Sequence, residues 1–372
     1  MKILYLTDQT YLHGGIEKVL SQKANYFADN MGDEVSIVTY NQKSKPSSYV
    51  FSSKIKFIDL GVDYLIGKSY FHPDNLKKIP GHKASLQTVI RELKPDVIIS
   101  CSFGPDFYFL PFVGQDIPKI KEFHSSRFFN DVNKKGTKGK LLQKLGHWLE
   151  SKYESIVVLN KSEVEFYAGE KVSVIPNPAE ILGNRADLTK KQILAAGRLA
   201  PVKNFADLIE AFYMINEDFP DWQLHFFGED YNGTQNNLQE KITSYGLNSR
   251  IKFMGVTDDL KNKMLDYSIY AMTSETECFP MVLLESLSVG LPVVSYDSPT
   301  GPQHIVTDQE DGFITPYKNL TIFANHLKIL MNDENLRKKM GESGLENVQR
   351  FSIDKVMHQW KDLFNSLLSE KK

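Results

Sequence analysis

At 372 residues the chain exceeds the size at which a single core keeps growing, so two domains of roughly 150–200 residues each are expected. With 41% apolar and 24% charged residues it has an ordinary globular composition. The net charge is −2, divided as 24 Lys and Arg against 20 Asp and Glu in residues 1–180 and 20 against 26 in the rest. So mild a basic bias excludes a nucleic-acid footprint, although it suits a domain resting on an anionic surface. Cys101 and Cys278 are too far apart for a disulfide framework or a zinc site, which points to a reducing cytosol. No basic segment with an apolar h-region opens the chain, and nowhere do about 18 apolar residues run together. The expectation is a protein neither secreted nor membrane-spanning.

Apolar runs of strand length at residues 3–6, 34–40, 55–58, 96–101, 118–123, 155–159 and 172–175 alternate with helical patterns. This is the pattern of parallel sheets with helices on both faces. After the first run, His13-Gly14-Gly15-Ile16-Glu17 feeds a helix reaching about residue 30, and paired glycines there let backbone approach a phosphate. A nicotinamide dehydrogenase is disfavoured: no G-x-G-x-x-G is present, and the second strand ends Val38-Thr39-Tyr40-Asn41 without an acid for a ribose. The fifth run ends Phe123-His124-Ser125, which directs His124 to the carboxyl edge of a sheet.

Residues 134–149 carry Lys134, Lys135, Lys138, Lys140 and Lys144, with no acid between Asp131 and Glu150, beside Leu141, Leu142, Leu145, Trp148 and Leu149 at helical spacing. A basic amphipathic helix of this kind fits an anionic leaflet, and equally a core-facing helix with a solvated basic end.

The two prolines of Ile175-Pro-Asn-Pro-Ala179 and the polar stretch to Lys191 place an interdomain linker there. A second alternating series follows, with strands beginning at residue 192 and at 222–228, 250–254, 269–273, 291–296 and 312–315. An amphipathic helix over about 353–368, organised by Val356, Trp360, Leu363 and Leu367, closes the chain. Gly197-Arg198-Leu-Ala-Pro-Val-Lys203-Asn204 opens the second series with two cations set to face one anion. Further on, a strand end leads into a polar loop with Glu275 and Glu277, then a helix opening at Pro280 and stopped by Gly290, then a buried parallel strand from Leu291. Glu277 and Glu285 stand eight residues apart, with backbone amides of the Phe279–Val282 stretch between them. A helix N-terminus attracts a diphosphate, and carboxylates on either side accept hydrogen bonds from sugar and ribose hydroxyls. That is equipment for a nucleotide sugar.

Glu277-Cys-Phe-Pro-Met-Val-Leu-Leu-Glu285 followed by Gly290-Leu-Pro-Val-Val resembles the Glu-x7-Glu signature of glycosyltransferase family 4, retaining enzymes of the GT-B fold. The Gly14-Gly15-x-Glu17 loop, His124 and the Gly197-Arg198-Leu-x-x-x-Lys203-Asn204 segment are similar to further motifs of that family and stand in its order. The resemblance implies an α/β protein of GT-B type, two Rossmann-like doubly wound parallel-sheet domains facing a cleft. Residues 1–180 would be the acceptor-side domain, 181–352 the nucleotide-sugar domain, and 353–372 a helix returning to the first.

It also implies transfer of a hexose-type sugar, with retention, from a nucleotide diphosphate donor, most readily a UDP-sugar. The acceptor would be a hydroxyl of a glycan or a polyprenyl-diphosphate-linked glycan. Such chemistry builds lipopolysaccharide, capsule or another surface polysaccharide, in the cytoplasm or peripherally on the inner face of the plasma membrane. By resemblance His124, Glu277, Arg198 and Lys203 are the catalytic residues, and Gly14, Gly15, Gly255, Val256, Phe279, Pro280, Met281, Val282 and Glu285 join Arg198, Lys203 and Glu277 in binding the nucleotide sugar. No cofactor and no metal is expected, because no Asp-x-Asp stands at a strand end and paired cations can balance the diphosphate. Ser298-Pro-Thr-Gly-Pro-Gln-His304 is similar to a stretch of UDP-sugar-using members, with His304 where a glutamate is usual. The competing readings are a nucleotide-sugar epimerase or hydrolase on the same scaffold and a non-enzymatic nucleotide-sugar sensor.

Overall fold

The computed structural model describes residues 1–65, 67–114, 116–128, 137–167, 171–181 and 183–370. The chain divides into two compact units, Met1–Pro178 together with Ile353–Lys372, and Ala179–Ser352.

The first unit holds β1 (Lys2–Leu6), β2 (Glu34–Thr39), β3 (Lys56–Asp59), β4 (Val97–Ser100), β5 (Lys119–Glu122), β6 (Ser155–Val158) and β7 (Val172–Val174), all parallel in the order β3-β2-β1-β4-β5-β6-β7. Each is one of the seven expected apolar runs. Because alternate side chains leave a strand on opposite faces, Ile3 and Tyr5 join one core layer while Leu4 and Leu6 join the other. The helix Gly15–Asp29 covers the first layer with Leu20, Ala24 and Phe27, and the helix Ile79–Leu93 covers the second with Leu86 and Ile90. The closing helix, Ile353–Ser369, buries Val356, Met357, Trp360, Phe364 and Leu367 in the first layer, a stripe at helical spacing that a solvated helix would not carry.

The second unit holds β8 (Gln192–Ala196), β9 (Gln223–Phe227), β10 (Ile251–Gly255), β11 (Ile269–Met272), β12 (Val293–Tyr296) and β13 (Gly312–Thr315), parallel in the order β10-β9-β8-β11-β12-β13. Successive strands are added toward one edge of the sheet from β8 to β10 and toward the other from β11 to β13, so the winding reverses between β8 and β11. At such a switch point the two flanking loops leave the carboxyl edge in opposite directions and open a crevice, the general position of ligands in doubly wound sheets. The loop after β8 carries Arg198 and Lys203, and the loop after β11 carries Glu275 and Glu277. One expected boundary is corrected. The helix after β11 runs Met281–Ser288, and Pro280 is its extended N-cap residue at φ −68°, ψ 115°, so the proline ends the loop and does not start the helix. Gly290, at φ +71°, then turns the chain out of that helix.

Candidate active site

In the second unit, three glycines end successive strands and tie the carboxyl edge together. Gly197 donates its amide to Phe227 O at 2.9 Å, and Gly228 donates to Gly255 O at 2.9 Å. A Cβ on Gly228, whose φ is +152°, would lie 1.9 Å from Gly197 O, so the backbones meet where no side chain fits. Gly197 in turn leaves room for the Lys203 stem, whose Cε lies 3.0 Å from the point where a Cβ would stand. Lys203 ends a short 3-10 turn, Pro201–Lys203, and Asn204 at φ +46° caps the helix Phe205–Ile215 that follows. The Thr273 hydroxyl pins this turn by donating to Asn204 O at 2.9 Å. Glu275 N donates to Val202 O at 2.7 Å, so the loops after β8 and β11 are joined by backbone as well.

The loops so joined bring Lys203 and Glu277 together: Lys203 Nζ donates to Glu277 Oε1 at 2.6 Å, with the side chains 23% and 13% exposed. Arg198 is exposed, its guanidinium 5.4 Å from the Tyr231 ring centroid. Glu285 lies inside the helix and is only 8% exposed, so it does not sit on a solvated helix face. The Phe279 side chain is also core, edge-on to Phe351 at 5.4 Å, so what Phe279 can offer a ligand is backbone. Pro280 has no N–H, leaving the amides of Phe279, Met281 and Val282 as the donors of this stretch. Gly255 ends β10, the edge strand of the sheet, and Val256 follows it. Val256 is 59% exposed, and the space above Gly255 is open.

The Thr300-Gly301-Pro302 stretch packs directly on the Glu277 loop. Glu277 N donates to Pro299 O at 3.0 Å and Thr300 N returns a bond to Glu277 O at 2.7 Å, while a Cβ on Gly301 would fall 2.5 Å from Cys278 O. Sequence reasoning treated this stretch only as a guide to donor preference, and its job of fixing the Glu277 backbone was missed. Asp297, at the end of β12, keeps one buried carboxylate oxygen without a hydrogen-bond partner, and burial pushes its carboxyl up while nearby His304 works against that. Glu275 is tied to the Tyr317 hydroxyl at 2.7 Å and to Lys318 at 2.9 Å; burial pushes its carboxyl up, but these partners outweigh it and hold the group below the usual carboxylate range.

Gly14, Gly15 and His124 belong to the first unit. Gly14 is the extended N-cap of the helix Gly15–Asp29, and the Glu17 carboxylate folds back over it, 2.2 Å from where a Cβ would be. His124 follows the end of β5, with Nε2 3.3 Å from Glu122 Oε1. The expected basic helix is present over Thr137–Glu150, but only Leu149 of its predicted apolar set is buried. Leu141, Leu142, Leu145 and Trp148 are 69%, 43%, 40% and 49% exposed, which corrects the core-facing alternative. Lys134 and Lys135 lie outside the described residues, as does the side chain of Lys138. Among the described residues no helix is long and apolar enough to cross a membrane.

Comparison with known proteins places this geometry. The model of glycosyl transferases group 1 matches residues 179–347 and that of glycosyltransferase family 4 matches residues 13–181. An uncharacterized glycosyltransferase of Haemophilus influenzae is 27% identical over 360 residues, covering 94% of this chain and 96% of that protein. An exopolysaccharide phosphotransferase of Streptomyces coelicolor is 34% identical over 207 residues, 55% of this chain; the chain spans only 22% of that much longer relative. Among solved structures, a mutant of S. aureus TarM in complex with fondaparinux, α-GlcNAc-glycerol and UDP superposes with a TM-score of 0.81 at 15% identity, covering 98% of this chain and 99% of that one. The fold is therefore GT-B. With the two models together spanning residues 13–347, the chain belongs to the glycosyltransferases of the family 4 type.

Proposed function

We propose that the protein transfers a hexose-type sugar from a UDP-sugar to a hydroxyl of a glycan or lipid-linked glycan acceptor, with retention of anomeric configuration, in the assembly of a surface polysaccharide. The observation that carries this reading is the Lys203–Glu277 pair at the switch point of the second sheet. A cation and a carboxylate held 2.6 Å apart yet open to solvent can exchange partners: the lysine for a diphosphate, the glutamate for sugar hydroxyls. Arg198, already exposed beside the same loop, would supply a planar fork to the phosphates. Bond breaking leaves negative charge on the departing nucleotide. Lys203, Arg198 and the amides of Phe279, Met281 and Val282 would stabilise it electrostatically, with the Gly14-Gly15 loop contributing backbone. Glu285 would take the ribose, Gly255 and Val256 the base, and His124 the sugar or the incoming hydroxyl. The UDP in the TarM complex and the exopolysaccharide named for the Streptomyces relative support this choice of donor and product class.

Ligand-observed NMR against UDP-, GDP- and ADP-sugars, followed by product analysis with the binder, tests it. The expected outcome is binding confined to a UDP-sugar, with free UDP released and the sugar transferred with its anomeric configuration kept. An altered but intact nucleotide sugar would favour an epimerase, and binding by none of the donors would overturn the reading.

The exposed Leu141, Leu142, Leu145 and Trp148, flanked by Lys140 and Lys144, favour an anionic membrane surface as the place where the acceptor is met, on the cytoplasmic side. Flotation with anionic and with neutral vesicles should show the protein rising only with the former. A protein that stays below with both would remove the membrane from the account.

A further inference from the structure

The first unit contains a buried ion pair that the proposed reaction has not used. Lys23 stands in the apolar stripe of the helix Gly15–Asp29, among Val19, Leu20, Ala24 and Phe27. Its ammonium is 2.5 Å from both oxygens of Glu122, and the two side chains are each 1% exposed. The ring of Trp360, on the closing helix, lies 4.3 Å from the same ammonium, and the Cys101 thiol donates to Glu122 Oε2 at 3.5 Å. Removing two charges from water is costly, and an apolar pair of similar volume would hold these elements together at least as well. The fold therefore has no need of a carboxylate here for its own sake.

Besides the lysine and the Cys101 thiol, the carboxylate touches His124. Residues two apart on an extended chain project to the same side, so Glu122 at the last position of β5 and His124 just past it are placed as neighbours by the strand geometry. Oε1 of Glu122 lies 3.3 Å from His124 Nε2, at the carboxyl edge of the sheet. We propose that Glu122, held in place by Lys23, is the positioning residue of His124: it accepts the Nε2–H, fixes that tautomer and ring orientation, and leaves Nδ1 as the atom that meets substrate. This inference rests on the reading of His124 as a residue that contacts the sugar or the acceptor hydroxyl.

The arrangement divides the work in a way the residue types require. A neutral imidazole carries its proton on one nitrogen, and a carboxylate beside that nitrogen selects which. Were Glu122 alone, its full charge would act on the ring. With Lys23 on both its oxygens, the pair is neutral overall and His124 receives direction more than charge. Burial pushes the Glu122 carboxyl up, but Lys23 and His124 outweigh it and hold the group well below the usual carboxylate range, so it remains an acceptor at every working pH.

Two measurements on the full chain decide the matter. Long-range 1H–15N correlation on histidine-labelled protein, with His124 assigned from the signal lost in His124→Ala, should show the Nε2–H tautomer, and no substrate is needed. A His124 found mainly as the Nδ1–H tautomer would overturn the proposal. Because removing one charge strands the other, the variant is the double Lys23→Met/Glu122→Met, in which both leave together. Its His124 should become a mixture of tautomers, and kcat should fall by about tenfold or more with UDP affinity unchanged. In the His124→Ala background the same double change should alter kcat by less than about twofold, since a residue acting through His124 has nothing left to act on. Multiplicative losses would show that Glu122 acts independently and would contradict the assignment. Failure of the donor reading is separate: it would appear as UDP binding indifferent to Lys203→Ala, with the tautomer result standing by itself.

Discussion

The two units each place a lysine against a glutamate near the carboxyl edge of a parallel sheet, and the two pairs are built to opposite ends. Lys23 and Glu122 are 2.5 Å apart with 1% exposure each, while Lys203 and Glu277 are 2.6 Å apart with 23% and 13% exposure. Contact distance is nearly the same, so burial decides what each can do. In the first pair no water or ligand can replace either partner, and the bond behaves as a fixed strut that aims a histidine. In the second, solvent already reaches both groups, so an anion can take the lysine and a hydroxyl the glutamate at modest cost. The lesson is that a pair's exposure, more than its length, separates a support from a binding site.

The comparison breaks first at the buried pair. Lys23→Ala strands the Glu122 carboxylate and should cost about 3–5 kcal/mol in urea unfolding, whereas Lys203→Ala should cost less than about 1 kcal/mol. Equal losses at the two sites would dissolve the distinction. The same pair carries a pH signature. The folded-state pKa of Glu122 lies below its unfolded value, so the stability it contributes is complete above the unfolded carboxylate value of about 4.3 and is lost as the pH falls below it. Lys23→Met/Glu122→Met should therefore flatten the acid limb of the stability curve, and an unchanged limb would contradict the assignment.

Of intermediate size is Gly228→Ala. A methyl 1.9 Å from Gly197 O, at a backbone φ of +152°, must push the strand ends apart, at a cost of about 1–3 kcal/mol in thermal unfolding and with weaker UDP binding. Intact UDP binding would show that the glycine ladder does not position Lys203. Smallest is Glu277→Gln. By releasing Lys203 from its internal carboxylate, it should raise affinity for UDP itself by about threefold to tenfold while removing the advantage of UDP-sugar over UDP. Weaker UDP binding in this variant would mean that the pair is a strut after all.

All thirteen strands among the described residues were legible, most of them because a strand covered on both faces is a short apolar run with a turn after it, and β5, Lys119–Glu122, only from the alternation around it, its charged residues being buried. The Lys203–Glu277 crevice was legible for a related reason: its residues follow immediately after strand ends in two recognisable loops. The Lys23–Glu122 pair was not. Its members are 99 residues apart, and nothing local joins them, although a lysine inside an apolar helical stripe and a glutamate inside a buried strand are both signals that a partner exists. Pro280 was misplaced by one position because its fixed φ suits an extended N-cap as well as a first helical residue. The helix Thr137–Glu150 was recognised, yet which of its leucines meet the core depends on tertiary placement that helical periodicity alone does not contain.

The most direct test of the central claim is calorimetric titration of UDP into the intact protein and into Lys203→Ala, at one fixed salt concentration. If Lys203 is the exchangeable cation of a nucleotide-diphosphate site, the unaltered protein binds and the variant loses about a hundredfold in affinity while unfolding at nearly the same temperature. Equal affinity in both proteins would contradict the account, leaving the lysine and its glutamate as an ordinary ion pair at the edge of a sheet.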